Sequence, residues 1–286
     1  GSEMCIRDRM GQIALNNLGK EYQQEVPSSI FDSLVKWKAT INRVDEIPDI
    51  MRRAFTNLRS GSPGPVVIEM PQDVMAGEIS DDTFNYQPVG PGSKPAAASA
   101  DVEQAADLLV NAEYPVLNVG GGCLSAEAAE EVMELAELLS MPVASSLVAK
   151  GIFPEDHPLS LGLGIYPRSR YATGPAVQIN RKADVVLAVG NSYRQPNGTD
   201  GRPFPPGVKL IHVNADDADL NKTYMADVPI MADAKLALRD IINAVRDRVG
   251  PGRGGAKEEI VAEIQQARDK WLGEWQSVFT DPVSYT

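Results

Sequence analysis

Between residues 102 and 250, short apolar runs alternate with segments of helical periodicity. Apolar runs fall at 115–120, 142–146, 184–190, 208–214 and 227–232; helical patterns fall at 102–112, 125–140, 171–183 and 233–249. Each run holds about 5–7 residues, the usual length of a strand. The runs are mostly apolar instead of strictly alternating, which predicts strands covered on both faces. Strands of this kind separated by helices leave few topologies, because parallel neighbours need a crossover that packs back on the sheet.

The expected fold class is therefore α/β: a Rossmann-like, doubly wound parallel sheet over 102–250. The C-terminal part of a second α/β domain is expected before it, over 10–80. There, Ile47, Ile50, Met51, Phe55 and Leu58 share one helical face within 44–60. The stretch Gly-Ser-Pro-Gly-Pro at 61–65 stops that helix, and 66–71 reads as a buried strand. Residues 81–101 are rich in Pro, Gly, Ala and Ser and read as a linker. Residues 251–282 read as a second linker and an amphipathic helix leading towards a further domain. The ends look foreign. Cys5-Ile6-Arg7-Asp8 can be encoded by TGT ATA AGA GAC, whose reverse complement encodes Val283-Ser284-Tyr285-Thr286. Residues 1–9 and 283–286 are accordingly expected to be adapter-derived tails, with the natural chain continuing past both.

Composition removes several function classes. A formal charge of −12 argues against a nucleic-acid footprint. Two cysteines, Cys5 and Cys123, and two histidines, His157 and His212, give neither a disulfide framework nor a metal cluster. No apolar run is long enough to span a bilayer, and no secretory signal pattern is present, which predicts a cytoplasmic protein without membrane partners.

In a parallel sheet, ligands gather at the carboxyl ends of the strands. Gly120-Gly121-Gly122 stands at such an end, before a helical segment with Ser125 as its expected N-cap. Glycines let a backbone approach a phosphate, and a helix start supplies free N–H groups. The spacing matches neither G-x-G-x-x-G nor a Walker loop, so a tight turn is an equal alternative. Ser146, Leu147, Val148, Gly190, Asn191, Asn214 and Asp216 stand at neighbouring strand ends and could line the same crevice. Asp216 is a candidate for a ribose hydroxyl, with a cap or turn role as the alternative. His212 is expected to be a satisfied sheet residue, His157 a loop residue, Cys123 an inert thiol, and 197–201 a turn.

The order of segments resembles thiamine-diphosphate-dependent enzymes of the acetolactate synthase kind. The resemblance rests on 60–74, on 141–164 with its Gly-Ile-Phe-Pro-Glu-Asp-His-Pro-Leu, and on 183–193, 209–222 and 226–238. It covers the end of a pyrimidine-binding domain and a whole central domain. It implies a 2-oxo acid substrate, thiamine diphosphate with Mg2+, and a homodimer or homotetramer. It also implies that the activating glutamate and the Gly-Asp-Gly metal motif lie outside this chain. Tyr22-Gln23-Gln24 takes the place of the family's Phe-Gln-Glu, so Gln23 and Lys36 are the expected neighbours of thiamine diphosphate or substrate.

For the central domain the resemblance implies FAD or ADP on the glycine turn, Ser146 to Val148, Gly190, Asn191, Asn214 and Asp216. The family's two assisting arginines are replaced here by Ser62 and Ser192. Each lost guanidinium contact weakens an anion site by roughly 1.5–3 kcal/mol, and Arg194 could restore one. FAD, ADP and an empty crevice therefore stand as alternatives. The functional expectation is a 2-oxo-acid decarboxylase or carboligase resembling acetolactate synthase or glyoxylate carboligase. The alternatives are a non-catalytic nucleotide-binding module and a purely structural central domain.

Overall fold

A computed structural model describes residues 6–12, 28–81, 84, 86–88, 90, 92–164, 174–193, 204–250 and 257–280. The chain divides into two units, residues 1–93 and 94–286, and each is described by itself.

The first unit is a three-stranded parallel sheet. Strand β3 (Val66–Pro71) lies between β1 (Ile6–Gln12) and β2 (Trp37–Thr40). Helix α1 (Ile47–Arg59) carries Pro48 in its first turn, where the missing N–H leaves no bond unmade. It buries Ile50, Ala54 and Leu58 against Val66, Ile68, Ile41 and Val74. A short helix α2 (Gln72–Met75) follows β3. Residues 6–9, set aside as a tail on sequence grounds, lie in β1 and pair with Val66–Glu69. The pairing uses backbone groups, which every sequence carries, so an open β3 edge accepts these residues whatever their origin.

The second unit contains helix α3 (Ser99–Asn111), strand β4 (Pro115–Val119), the short helix α4 (Gly121–Ser125) and helix α5 (Ala129–Leu139). Strands β5 (Val143–Ser145) and β6 (Ser160–Leu163), helix α6 (Gly174–Asn180) and strand β7 (Val185–Val189) come next. Strands β8 (Lys209–Asn214) and β9 (Val228–Met231), then helices α7 (Ala234–Val249) and α8 (Glu258–Thr280), complete it. All six strands are parallel, in the order β6-β5-β4-β7-β8-β9. Numbered from β4, that order is 3-2-1-4-5-6, the doubly wound arrangement with its switch point between the two middle strands. Helices flank the sheet, with α3 and α5 against α7 and α8 against α6.

Ion pairs tie the helices together. Arg248 on α7 reaches Glu103 and Asp107, one turn apart on α3, at 2.6 Å each. Glu131 on α5 is wholly buried and pairs with Arg239 of α7, with Lys235 3.8 Å away. Glu263 on α8 accepts from Tyr114 and pairs with Lys182.

In the first unit, β2 and α2 were not expected from the sequence, and in the second unit two elements differ from the expectation. The helix expected at 125–140 begins only at Ala129, after a separate short helix that Ser125 ends; the Ser125 hydroxyl donates to the Gly121 carbonyl instead of capping α5. Glu127 is left-handed (φ 58°). With it, the Ala128 and Glu127 amides close back on the Cys123 and Leu124 carbonyls, both at 3.0 Å, which is a Schellman ending. That position is usually Gly, so Glu127 gave no sign of a break. Strand β6 was not expected at all. Its sequence, Ser-Leu-Gly-Leu, has no β-branched residue, and only the β5 edge recruits it.

Candidate functional site

The candidate crevice lies at the carboxyl ends of β4, β5, β7 and β8. The topology brings together the residues expected there. The first contact is between the two middle strands. The Gly120 amide donates to the Val189 carbonyl (2.8 Å) and the Gly122 amide to the Gly190 carbonyl (2.9 Å). A Cβ on Gly122 would lie 2.6 Å from the Gly190 Cα, and one on Gly120 would lie 2.6 Å from the Asn191 Cα. Gly120 itself is extended (φ −112°), so the lack of room, not its backbone angle, demands glycine. Gly190 needs glycine twice over: its φ is +62°, and a Cβ would sit 2.7 Å from the Cys123 amide nitrogen.

Gly121 faces the next loop, where a Cβ would lie 2.9 Å from the Val148 Cγ1. In that loop the Ser146 amide donates to the Val119 carbonyl at 2.9 Å, and the Ser146 hydroxyl accepts from the Ala149 amide at 3.2 Å. Ser146 therefore caps a single 3₁₀ turn, Leu147–Ala149. Leu147 and Val148 are exposed on that turn, at 63% and 74%.

At the β8 end, Asn214 donates to the Asn191 carbonyl and accepts from the Asp216 amide (3.0 Å). One carboxylate oxygen of Asp216 accepts from Ala218, capping the turn Asp217–Asp219. In the described structure, then, Ser146 and Asp216 act as caps.

A buried polar cluster that the sequence did not announce lies beside these ends. Asn118 and His212 flank Ala188 in register across β7. The Tyr193 ring meets both flanking residues: its hydroxyl accepts from Asn118 (3.4 Å) and its ring is 5.5 Å from that of His212. Tyr193 is left-handed (φ 46°), is held through its amide by the Asn191 side chain, and packs edge-on against Phe204 and Tyr224. His212 Nε2 meets the Asn191 carbonyl at 2.6 Å, and burial pushes its pKa down, so it stands neutral in the sheet. No partner is found among the described residues for Asn118 Oδ1, Asn191 Nδ2 or His212 Nδ1. The only sequence signal for this cluster was polar residues inside apolar strand patterns.

Cys123 is fully buried, and its thiol donates to the Val189 carbonyl. Burial pushes its pKa up to about 12, and the charge of Asp233 adds to the rise. Asp233 is itself buried and caps α7, accepting from the Lys235 and Leu236 amides at 3.1 and 3.2 Å. Its second oxygen pairs with Lys94 at 3.2 Å.

In the first unit, the Lys36 amine donates to the carbonyls of Ser60 and Ser62 and its amide to that of Pro65. It thus holds the turn between α1 and β3. Gln23, Arg194 and the turn at 197–201 lie outside the described residues. Among the described residues, no group of three or more His, Cys, Asp or Glu could hold a metal ion, and no helix is long and apolar enough to cross a membrane.

Comparison with known proteins assigns the geometry to a family. The central-domain family of thiamine pyrophosphate enzymes matches residues 102–241. The chain is 36% identical over 240 residues to a probable acetolactate synthase large subunit of Methanocaldococcus jannaschii, covering 82% of this chain and 40% of that protein. It is 32% identical over 267 residues to a glyoxylate carboligase of Escherichia coli O157:H7, covering 93% and 44%. It is 34% identical over 247 residues to an acetolactate synthase of Mycobacterium bovis, covering 85% and 39%. The chain thus spans about two fifths of the length of the curated relatives it matches.

Proposed function

Since the chain belongs to the thiamine pyrophosphate enzyme family and is acetolactate synthase-like, we propose that it is the central portion of a 2-oxo-acid decarboxylase or carboligase. The observation that carries this reading is the 3-2-1-4-5-6 sheet within the matched segment, in a chain that aligns with a glyoxylate carboligase over 93% of its length. The whole protein would take a small 2-oxo acid, bind thiamine diphosphate with Mg2+, and assemble as a homodimer or homotetramer. Bound thiamine diphosphate supplies the electron sink for loss of carbon dioxide.

This chain contributes a frame. Lys36 holds the turn from α1 into β3, and with Gln23 it is the part of the first unit closest in sequence pattern to the family's cofactor-facing segment. A cytoplasmic location fits a chain with two cysteines, of which Cys123 is free and buried.

The test is turnover of pyruvate and of glyoxylate, with thiamine diphosphate and Mg2+, by this polypeptide and by a version carrying its flanking coding sequence. The extended protein is expected to release carbon dioxide from one of the two acids, and the polypeptide alone from neither. Turnover by the polypeptide alone, or none by the extended protein, would overturn the reading. A second reading, a central domain whose part is structural, is favoured by the cap roles of Ser146 and Asp216; it concerns the crevice and is compatible with the first.

A further inference from the structure

We propose that the glycine turn at 120–122 is a packing joint, not a phosphate cradle, and that the central unit works without FAD or ADP. Three independent observations carry this.

The first is the donor set. A diphosphate on a strand–turn–helix unit is held by amides that have no other partner. Here three of the four amides from Gly120 to Cys123, those of Gly120, Gly122 and Cys123, donate to the carbonyls of Val189, Gly190 and Gly120. Those of Ser146, Gly190 and Asp216 donate to Val119, Val213 and Asn214. The helix that starts at the turn, α4, is only five residues long and has little dipole to offer.

The second is space. The room that glycine leaves at 120, 122 and 190 is filled by backbone: Gly190 and Asn191 against Gly120 and Gly122, and Cys123 against Gly190. A ligand needing that room would have to part β4 from β7. The packing explains the glycines without a ligand.

The third is charge. Asp233 is buried close enough to the turn to act on the Cys123 thiol, and it already supplies the anion at the start of the long helix α7. The nearby lysines are engaged: Lys150 with Glu155, Lys222 with Asp219, and Lys235 with the Glu127 carbonyl. Asp233 is already matched by Lys94 and the α7 amides, so an incoming phosphate would find no uncommitted cation among these groups.

The inference rests on the family reading only for its choice of probes. The purified chain, shown by a cooperative melt to be folded, is titrated calorimetrically with FAD and separately with ADP. No saturable binding is expected at a Kd below about 1 mM. Binding of either nucleotide below that value would overturn the proposal. A Ser192→Arg variant separates a closed turn from an open one that merely lacks its cation: no binding is expected, and recovered binding would overturn the proposal. Should that variant fail to fold, the wild-type titration still decides. If only the version with flanking sequence folds, it is titrated instead and is expected to purify without a flavin band. A bound flavin would leave the carboligase reading intact, whereas absence of 2-oxo acid turnover would sink that reading and not this one.

Discussion

Gly122 and Gly190 meet backbone to backbone, with the amide of the first on the carbonyl of the second at 2.9 Å and no room for a side chain between them. The contact joins the two middle strands of the sheet at their carboxyl ends, so its integrity should register as stability before anything else.

Alanine at these positions is expected to be costly in proportion to what it strikes. Gly190→Ala puts a side chain at φ +62° and against the Cys123 amide, and should cost about 2–4 kcal/mol from left-handed strain plus overpacking. Gly122→Ala should cost about 1–3 kcal/mol from overpacking alone. Gly121→Ala meets only the side chain of exposed Val148, closest at Cγ1, which can turn away, and helix propensity offsets the rest, so a change within about 1 kcal/mol is expected. Urea melts of the three variants give the order; equal losses at 121 and 190 would contradict the joint.

Arg239→Ala should destabilise more than an exposed ion pair would suggest. Its partner Glu131 is fully buried, with Oε2 unpartnered among the described residues. Removing the guanidinium leaves a buried carboxylate with only Lys235, 3.8 Å away. Since Arg239 is half exposed, the loss is set near the lower end for broken buried pairs, about 2–3 kcal/mol. The double variant Glu131→Leu with Arg239→Ala should recover part of it, because the charge is then gone. A single-variant loss below about 0.5 kcal/mol would match a surface pair instead.

Acid should weaken the second unit through His212. Its folded pKa lies below its unfolded value because burial disfavours the cation. The unfolded chain therefore binds the extra proton first. Stability is full above the unfolded value of about 6.5 and is lost as pH falls from there through the folded pKa. His212→Gln should show a shallower loss of melting temperature across that window than the wild type. Parallel pH profiles would show that His212 contributes nothing.

Cys123 should be silent to a thiol reagent at about pH 8, since its pKa is pushed to about 12 and the side chain is fully buried. In a Cys5→Ser background, labelling should appear only in denaturant. Rapid labelling of the native protein would mean that the joint over Cys123 opens readily.

Much of this was legible in the sequence, and the exceptions have physical reasons. Strands β3, β4, β7 and β8 announced themselves because burial on both faces demands apolar runs; β5 and β9 were legible too, although β9, at the sheet edge, alternates buried and exposed residues. The crevice positions were legible as turn residues at strand ends. What they do there was not, because that depends on which strand lies alongside. Gly122 needs Gly190, 68 residues later, and nothing local to either says so. Tyr193 meets Asn118, 75 residues earlier, and nothing local to either says so. The break after α4 was hidden by a left-handed glutamate, and β6 by its lack of strand-forming residues.

The strand order has a consequence for how the chain is made. One of the two middle strands, β4, is among the first of this unit to be synthesised, and its second neighbour, β7, begins only at Val185. On the ribosome, β4 can bury one edge on β5 soon after emerging. Its other edge stays unsatisfied, an open template for a neighbouring nascent chain, until β7 arrives. A chain stopped between residues 164 and 184 should therefore aggregate, whereas one released after β9 and α7 has its middle closed. The order of manufacture places the most vulnerable interval of this protein in the wait between two adjacent strands.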